Sequence, residues 1–156
     1  MTGRAYVGLG ANLGDRSETL ARAIALLAER QEIEVVAVSS FRETDPVGFL
    51  DQPQFLNAAV AIETSLAPQA LLATLLEVER ELGRVREGPR YGPRTVDLDL
   101  LLYGDAALDE PGLTVPHPRL HERRFVLEPL LELDPGLTLP DGRRLRDLLG
   151  SPEPGS

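Results

Sequence analysis

The pattern of hydrophobic and polar positions divides the first two thirds of the chain into strands and helices. Short or alternating apolar runs predict β-strands, and apolar residues at helical spacing predict α-helices. The predicted strands lie at residues 4–9, 33–40, 55–65 and 95–102, and the predicted helices at 17–30 and 68–82. The order strand, helix, strand, strand, helix, strand indicates an α+β protein with a ferredoxin-like, split βαβ arrangement. We therefore expect a sandwich in which helices cover the faces of a mostly antiparallel sheet.

In the last third of the chain the apolar runs are shorter, and the predicted elements are shorter as well. A helix is predicted at residues 122–131, a brief one follows in the segment RRLRDLLG, and residues 151–156 are expected to fray. With 156 residues, the chain is expected to fold as one domain spanning 1–156. Gly83 is predicted to end the second helix, because glycine is common just past a helix end. The arginine-rich segment that follows is then a loop.

The composition limits the chemistry that this chain can perform. A formal net charge of −9 argues against broad binding to nucleic acid or to an anionic membrane, since both need positive potential. The absence of cysteine excludes disulfides, thiolate zinc sites and cysteine nucleophiles. All 16 basic residues are arginine, so a phosphate-cradling lysine and a Schiff-base lysine are excluded as well. The first residues do not resemble a secretory signal and no apolar run is long enough for a membrane span, so we expect a cytoplasmic protein.

Two acidic residues, Asp97 and Asp99, interrupt an otherwise apolar strand. Alternation along a strand gives two sets, with Thr95, Asp97, Asp99 and Leu101 on one face and Val96, Leu98, Leu100 and Leu102 on the other. The Cα atoms of the two aspartates should lie roughly 6.5–7 Å apart, at a rise of about 3.3 Å per residue. Carboxylates at this separation can converge on a pair of divalent cations. A solvated face of an edge strand is the alternative for these two residues taken alone.

The segment GRVREGPRYGPR before these acids is basic. It contains four arginines and one acid, a local net charge of 4 − 1 = +3 in an acidic chain. Its glycines and prolines predict a mobile loop, and Tyr91 offers a stacking surface. Arginine side chains beside paired cations are suited to phosphoryl transfer, where metal and arginine share the phosphate charge. A solvated basic loop that docks on acidic neighbours is the alternative.

Three other segments bear on the kind of ligand. LTVPHPRLHERRF is better suited to polyphosphate than to zinc, because it has two histidines and no cysteine. FRETDPVGFLDQPQFLN combines Phe49 and Phe55 with the amide of Asn57, which together could hold a flat heterocycle; ordinary core phenylalanines are the alternative. GLGANLG differs in spacing from the dinucleotide-binding fingerprint and is interpreted as a strand-to-helix turn.

Three of these motifs, in this order, resemble one known family. SSFRETDPVGFLDQPQFLNAAVAIET, RYGPRTVDLDLL and LTVPHPRLHERRFVLEPLLEL are similar to segments of the 6-hydroxymethyl-7,8-dihydropterin pyrophosphokinases of folate biosynthesis. The similarity extends from YVGLGANLGD to the PDG turn at 140–142. It implies a ferredoxin-like fold, two Mg²⁺ ions, and transfer of pyrophosphate from ATP to the hydroxymethyl group of the pterin, with release of AMP. We accordingly expect a monomeric enzyme with small-molecule substrates and without nucleic-acid or membrane partners.

The resemblance also implies roles for individual positions. Asp97 and Asp99 would hold the two Mg²⁺ ions, and Arg84 and Arg94 would close over the transferring group. The positions matching residues of the ATP site are Glu79, Arg86, Leu100, Thr114, His117 and Arg123. The positions matching the pterin pocket are Thr44, Val47, Phe55, Asn57 and Phe125, with the ring between the two phenylalanines.

Some positions depart from the pattern of well-studied members. Tyr91 replaces a tryptophan found in some of them, and Phe55 replaces a tyrosine found in others. Both changes would alter substrate affinity more than activity. Adenine recognition in the family depends on backbone near Leu100.

Two other functions are compatible with the residues. A palm-type nucleotidyl transferase or cyclase also places two aspartates on a ferredoxin-like sheet over two metal ions, but attack at the α-phosphorus releases pyrophosphate instead of AMP. A non-enzymatic, small-molecule-sensing module of the same fold has no need of paired acids that face an arginine loop. The released product therefore distinguishes the two enzymes.

Overall fold

The computed structural model describes residues 3–11, 16–44, 55–85, 96–117 and 124–150. The strands are β1 (Gly3–Ala11), β2 (Ile33–Val38), β3 (Arg42–Thr44), β4 (Phe55–Thr64), β5 (Val96–Tyr103), β6 (Leu108–Glu110) and β7 (Leu113–Val115). The helices are α1 (Arg16–Ala28), α2 (Pro68–Val85), α3 (Arg124–Leu133) and α4 (Leu145–Gly150). None of these helices is both long and apolar enough to cross a membrane.

Five of the described strands form one sheet. Its spatial order is β2-β4-β1-β5, and β3 continues the line of β2 along β4. All of the pairings among these strands are antiparallel. Strand β4 lies between β1 and β2, which is the arrangement of a split βαβ unit. The expected ferredoxin-like α+β sandwich is therefore confirmed.

In the described residues, apolar side chains form two clusters on opposite faces of the sheet. The larger cluster packs α1 and α2 against alternate residues of β1, β4 and β5, among them Val7, Val60 and Leu98. The smaller cluster packs α3 and α4 against the other face, where Tyr6 and Ala59 lie. Alternation along the strands explains both clusters, since every second side chain belongs to the same face. The two aspartates of β5 project from the second face.

Helix α2 continues past Gly83 and ends at Val85. The prediction that Gly83 ends this helix is wrong. Glycine inside a helix costs only about 1 kcal/mol relative to alanine, and the helix is held by the buried stripe Leu71, Leu75, Val78 and Leu82. As a consequence, Arg84 belongs to the last turn of α2 and not to the loop that follows.

A β-bulge changes the faces assigned to the end of β5. Tyr6 of β1 lies opposite Leu102, whereas Val7 lies opposite Leu100, so Leu101 is an extra residue in the pairing. Both Leu101 and Leu102 pack in the cluster under α3 and α4. The prediction that Leu102 shares a face with Leu98 and Leu100 is therefore wrong, because regular alternation ends at the bulge.

Candidate active site

The register of the sheet brings together residues that are far apart in the sequence. Gly10 of β1 lies opposite Asn57 of β4 on one side and opposite Asp97 of β5 on the other. Two residues earlier in β1, Gly8 lies opposite Asp99. Directly opposed residues project to the same face, so Asn57 and both aspartates project from the face that α3 packs against. This row joins a predicted pterin residue to the predicted metal ligands.

Gly8 and Gly10 both lie within β1, opposite the aspartates. The predicted strand at 4–9 contains Gly8, whereas Gly10 was expected in the turn that follows. The strand continues to Ala11 because its partners β4 and β5 both extend to this point. A Cβ atom built on Gly8 would come within 3.1 Å of Leu101 Cδ1, closer than ordinary contacts between such atoms. The missing side chain thus allows Leu101 to lie across β1 beside Asp99.

The exposure and chemistry of the aspartates fit a divalent metal site. Asp99 is exposed and Asp97 is half-buried, while Asn57 is only 8% exposed. Two carboxylates on one face supply the hard oxygen ligands that Mg²⁺ prefers. Among the described residues there is no group of three or more acidic or histidine side chains that could hold a metal ion. A metal ion held by the carboxylates of Asp97 and Asp99 would keep further coordination positions for phosphate oxygens and water.

Glu79 of α2 is hydrogen-bonded to the strand that carries the aspartates. The backbone N–H of Leu98 donates to Glu79 Oε2 at 2.7 Å. Leu98 lies between the two aspartates in β5, which is an edge strand in the sheet order. The carboxylate therefore satisfies a backbone donor on the open side of this strand and fixes the strand against α2.

Two of the residues matched to the ATP site lie beside β5. The backbone N–H of His117 donates to the carbonyl oxygen of Leu101 at 3.0 Å, and the side chain of His117 is half-buried. Thr114 of β7 donates from its hydroxyl to Asp109 Oδ1 at 3.4 Å in the β6–β7 hairpin. Leu100 itself is buried in the larger core cluster. The structure thus brings His117 close to the aspartate strand.

The backbone positions of four further predicted residues are described. Thr44 lies opposite Phe55 where β3 pairs with β4, two residues from the row that contains Asn57. Phe125 is the second residue of α3, and Arg84 lies next to the last residue of α2. Val47, Arg86, Arg94 and Arg123 lie outside the described residues, as does Tyr91.

A group of polar residues between β3 and α3 was not predicted from the sequence. Arg42 Nη2 donates to Glu132 Oε1 at 2.8 Å, and the backbone N–H and the hydroxyl of Ser40 both donate to the same carboxylate at 2.7 Å. The hydrogen bond from Arg42, followed by those from Ser40, lowers the pKa of Glu132 below its ordinary value. The residues are 90 or more positions apart in sequence, so no local motif indicates their contact.

The family model of the 7,8-dihydro-6-hydroxymethylpterin-pyrophosphokinases matches residues 6–135 of the chain. A protein of Bacillus subtilis, named 2-amino-4-hydroxy-6-hydroxymethyldihydropteridine pyrophosphokinase, is 53% identical over 133 residues, which cover 85% of this chain and 79% of that protein. A protein of the same name from Pseudomonas aeruginosa is 48% identical over 151 residues, covering 97% of this chain and 93% of the relative.

Solved structures support the fold at lower identity. A crystal structure of HPPK-DHPS in complex with substrates aligns with a TM-score of 0.76 and 12% identity, covering 94% of this chain and 42% of the solved one. Plasmodium falciparum HPPK-DHPS, solved with pterin and p-hydroxybenzoate, aligns with a TM-score of 0.73 and 16% identity, covering 96% and 43%. The chain thus spans less than half the length of these structures. From the family model and the close relatives together, the chain belongs to the 7,8-dihydro-6-hydroxymethylpterin-pyrophosphokinase family.

Proposed function

We propose that the face of the sheet around Asp97 and Asp99 is the active site for the reaction of this family. The chain is a pyrophosphokinase of folate biosynthesis, which transfers pyrophosphate from ATP to the hydroxymethyl group of 6-hydroxymethyl-7,8-dihydropterin. The observation that carries the assignment of the site is the row Asn57, Gly10 and Asp97 across three strands. In support of the proposal, the amide of Asn57 is suited to a heterocycle and the carboxylate of Asp97, on the same face two strands away, is suited to metal-bound phosphates.

In the proposed reaction the pterin hydroxyl oxygen bonds to the β-phosphorus of ATP, the bond from that phosphorus to the α–β bridging oxygen breaks, and AMP leaves. Asp97 and Asp99 together would hold two Mg²⁺ ions. Bound there, the metal would offset phosphate charge and make the pterin hydroxyl easier to deprotonate. Asp97 lies in the row of Asn57, so its carboxylate is the one nearer to the proposed pterin end of the site.

The remaining side chains would orient the two substrates. The pterin would lie among Thr44, Val47, Phe55, Asn57 and Phe125. The nucleotide would lie along the open side of β5, with contacts from Glu79, Arg86, Leu100, Thr114, His117 and Arg123. Arg84 and Arg94 would neutralise the transferring phosphates and exclude water. The position of Arg84 in the last turn of α2 supports this role, because α2 is fixed to β5 through the hydrogen bond of Glu79.

An assay of the released nucleotide tests the proposed function. With ATP, Mg²⁺ and the hydroxymethyl dihydropterin, we expect one AMP for each pterin consumed. Release of pyrophosphate would instead support a palm-type transferase, and no pterin-dependent turnover would support a binding module. A rate that keeps rising with Mg²⁺ after all ATP is complexed would indicate the second ion.

Asp97→Asn tests the metal site within the same assay. We expect the rate to fall about 100-fold or more, because a catalytic metal supplies several kcal/mol of charge stabilisation. Asp105→Asn is the matched control, since Asp105 is exposed in the turn that follows the same strand. A near-normal rate for Asp97→Asn would remove this carboxylate from the metal site.

We further propose that the chain is a single domain, that it acts as a monomer, and that it is located in the cytoplasm. Coverage of 93% of the Pseudomonas aeruginosa relative by one alignment supports the single domain. Light scattering on the purified protein tests the monomer, and a mass twice that of the chain would contradict it.

A further inference from the structure

The contact between β3 and α3 is centred on one carboxylate. Glu132 accepts three hydrogen bonds, one from Arg42 and two from Ser40, at distances of 2.7–2.8 Å. Glu128, one helical turn earlier in α3, lies 3.7 Å from Arg42 Nη1. The two glutamates are four residues apart on one helix and would repel each other without a cation between them. The guanidinium of Arg42 thus joins both acids of α3 to the strand.

This contact is partly exposed, with 38% of the Arg42 side chain and 34% of the Glu132 side chain accessible to solvent. Ion pairs between fully exposed side chains contribute little, because water and salt screen them. Here Arg42 Nε is buried and has no hydrogen-bond partner within the described part of the chain. The two terminal nitrogens of the same guanidinium approach Glu128 Oε1 at 3.7 Å and Glu132 Oε1 at 2.8 Å. A network of several charges contributes more than an isolated exposed pair.

The two elements joined in this way both contain residues of the proposed pterin site. Arg42 lies opposite Asn57, and Thr44 lies opposite Phe55, in the pairing of β3 with β4. Phe125 precedes Glu128 by three residues in α3, so the two positions belong to the same side of the helix. In the proposed site, the distance between β3 and α3 would therefore set the separation of Thr44 from Phe125.

We infer that Arg42 is a positioning residue for the pterin site, which acts by holding α3 against β3 through Glu132 and Glu128. The inference rests on the proposed pterin site but not on the metal site. It implies that loss of the contact weakens pterin binding selectively. ATP would be affected less, because of the six residues proposed for the nucleotide only Arg123 adjoins α3 in the sequence, and the others belong to α2, β5, β7 and the segments that follow them.

Steady-state kinetics of Arg42→Met test this role, since methionine retains much of the apolar stem and removes the charge. We expect KM for the pterin to rise about fivefold or more, with KM for ATP and kcat at saturating pterin changed less than about twofold. Arg42→Lys should recover part of the affinity, because it restores the charge but not the fork. Glu132→Gln should weaken pterin binding in the same selective way.

The matched control is Arg4→Met. Arg4 Nε donates to Glu63 Oε2 at 2.6 Å across β1 and β4, near the opposite end of both strands. This variant removes an arginine–glutamate pair without approaching the proposed site, so both KM values should stay unchanged. Equal effects of Arg42→Met and Arg4→Met, or a parallel loss of kcat and of affinity for both substrates, would overturn the inference.

The proposed function and the inference can fail separately. If the wild-type chain releases no AMP in the presence of pterin, the proposed function fails before any variant is compared. If wild type is active and Arg42→Met behaves like wild type, the positioning role alone is refuted. Should Arg42→Met not fold, Glu132→Gln decides the question by the same comparison of KM values.

Discussion

A glycine in the centre of the sheet leaves space for the side chains that pack beside the aspartates. Gly8 is one of two glycines of β1 that lie opposite the aspartates, and a side chain there would project from the same face. The nearest atom to such a side chain is Leu101 Cδ1 at 3.1 Å, and two more atoms of Leu101 lie at 3.5 Å. Leu101 belongs to the bulge and to the buried cluster under α3, so its freedom to move away is limited.

We therefore expect Gly8→Ala to lower the free energy of unfolding by about 1–3 kcal/mol, the usual cost of overpacking a core. Gly3→Ala is the matched control in the same strand, because the nearest atom to its added Cβ is Tyr103 Cε1 at 3.7 Å, an ordinary contact. Urea denaturation of both variants measures the difference. Equal losses in the two variants would show that Leu101 accommodates the methyl group without cost.

Elements are joined to each other at the site by a small number of side-chain to backbone hydrogen bonds. Glu79 connects α2 to β5 through the backbone of Leu98, at 2.7 Å. Glu79 also matches a residue of the nucleotide site, so two roles are possible for it. In the first role Glu79 holds the backbone of β5 in place, and in the second role Glu79 contacts ATP directly.

Two substitutions of Glu79 distinguish these roles. If Glu79 acts on the strand, Glu79→Ala leaves the Leu98 N–H without its acceptor and should cost about 1–3 kcal/mol of stability. It should also raise the Mg²⁺ concentration needed for half-maximal rate, while Glu79→Gln restores both because the amide oxygen still accepts. Glu77→Ala is the control, because it removes an exposed carboxylate of α2 that pairs with Arg30 and not with β5. Unchanged stability with a raised KM for ATP in Glu79→Ala would instead assign the carboxylate to the nucleotide.

The helices, the four longer strands and the paired aspartates were predictable because their signals are local. The alternation in β4 and β5 and the apolar stripe of α2 each involve residues that are close in sequence. The bulge at Leu101, the three-residue strand β3 and the continuation of β1 past residue 9 were not predicted. Each depends on a partner strand that is distant in sequence. The contact of Arg42 with Glu132 has the same cause, since hydrogen bonding between distant residues leaves no periodic pattern.

The two helix layers lie on opposite faces of the sheet, and of the four described helices only α3 carries a residue of the proposed pterin site, whereas α2 in the other layer carries Glu79 and Arg84 of the proposed phosphate and nucleotide sites. Helix α1 packs in the larger cluster and carries none of the proposed site residues. Helix α3 packs on the face of the aspartates and contains Phe125 and both glutamates that contact Arg42. Leu27 of α1 and Leu130 of α3 are both fully buried. Replacing either leucine by alanine therefore removes the same buried side chain from one helix layer or from the other.

We predict that Leu27→Ala and Leu130→Ala each lower the free energy of unfolding by about 2–5 kcal/mol, the range for cavities left by buried leucines. Their kinetic effects should differ. A cavity under α3 lets the helix move relative to β3, so Leu130→Ala should raise KM for the pterin, whereas Leu27→Ala should leave it unchanged. Assays below both melting temperatures, with calorimetry on the same samples, make the comparison. Equal changes in KM would mean that the sheet transmits core disturbance to its other face, and α3 would then have no special role in holding the pterin.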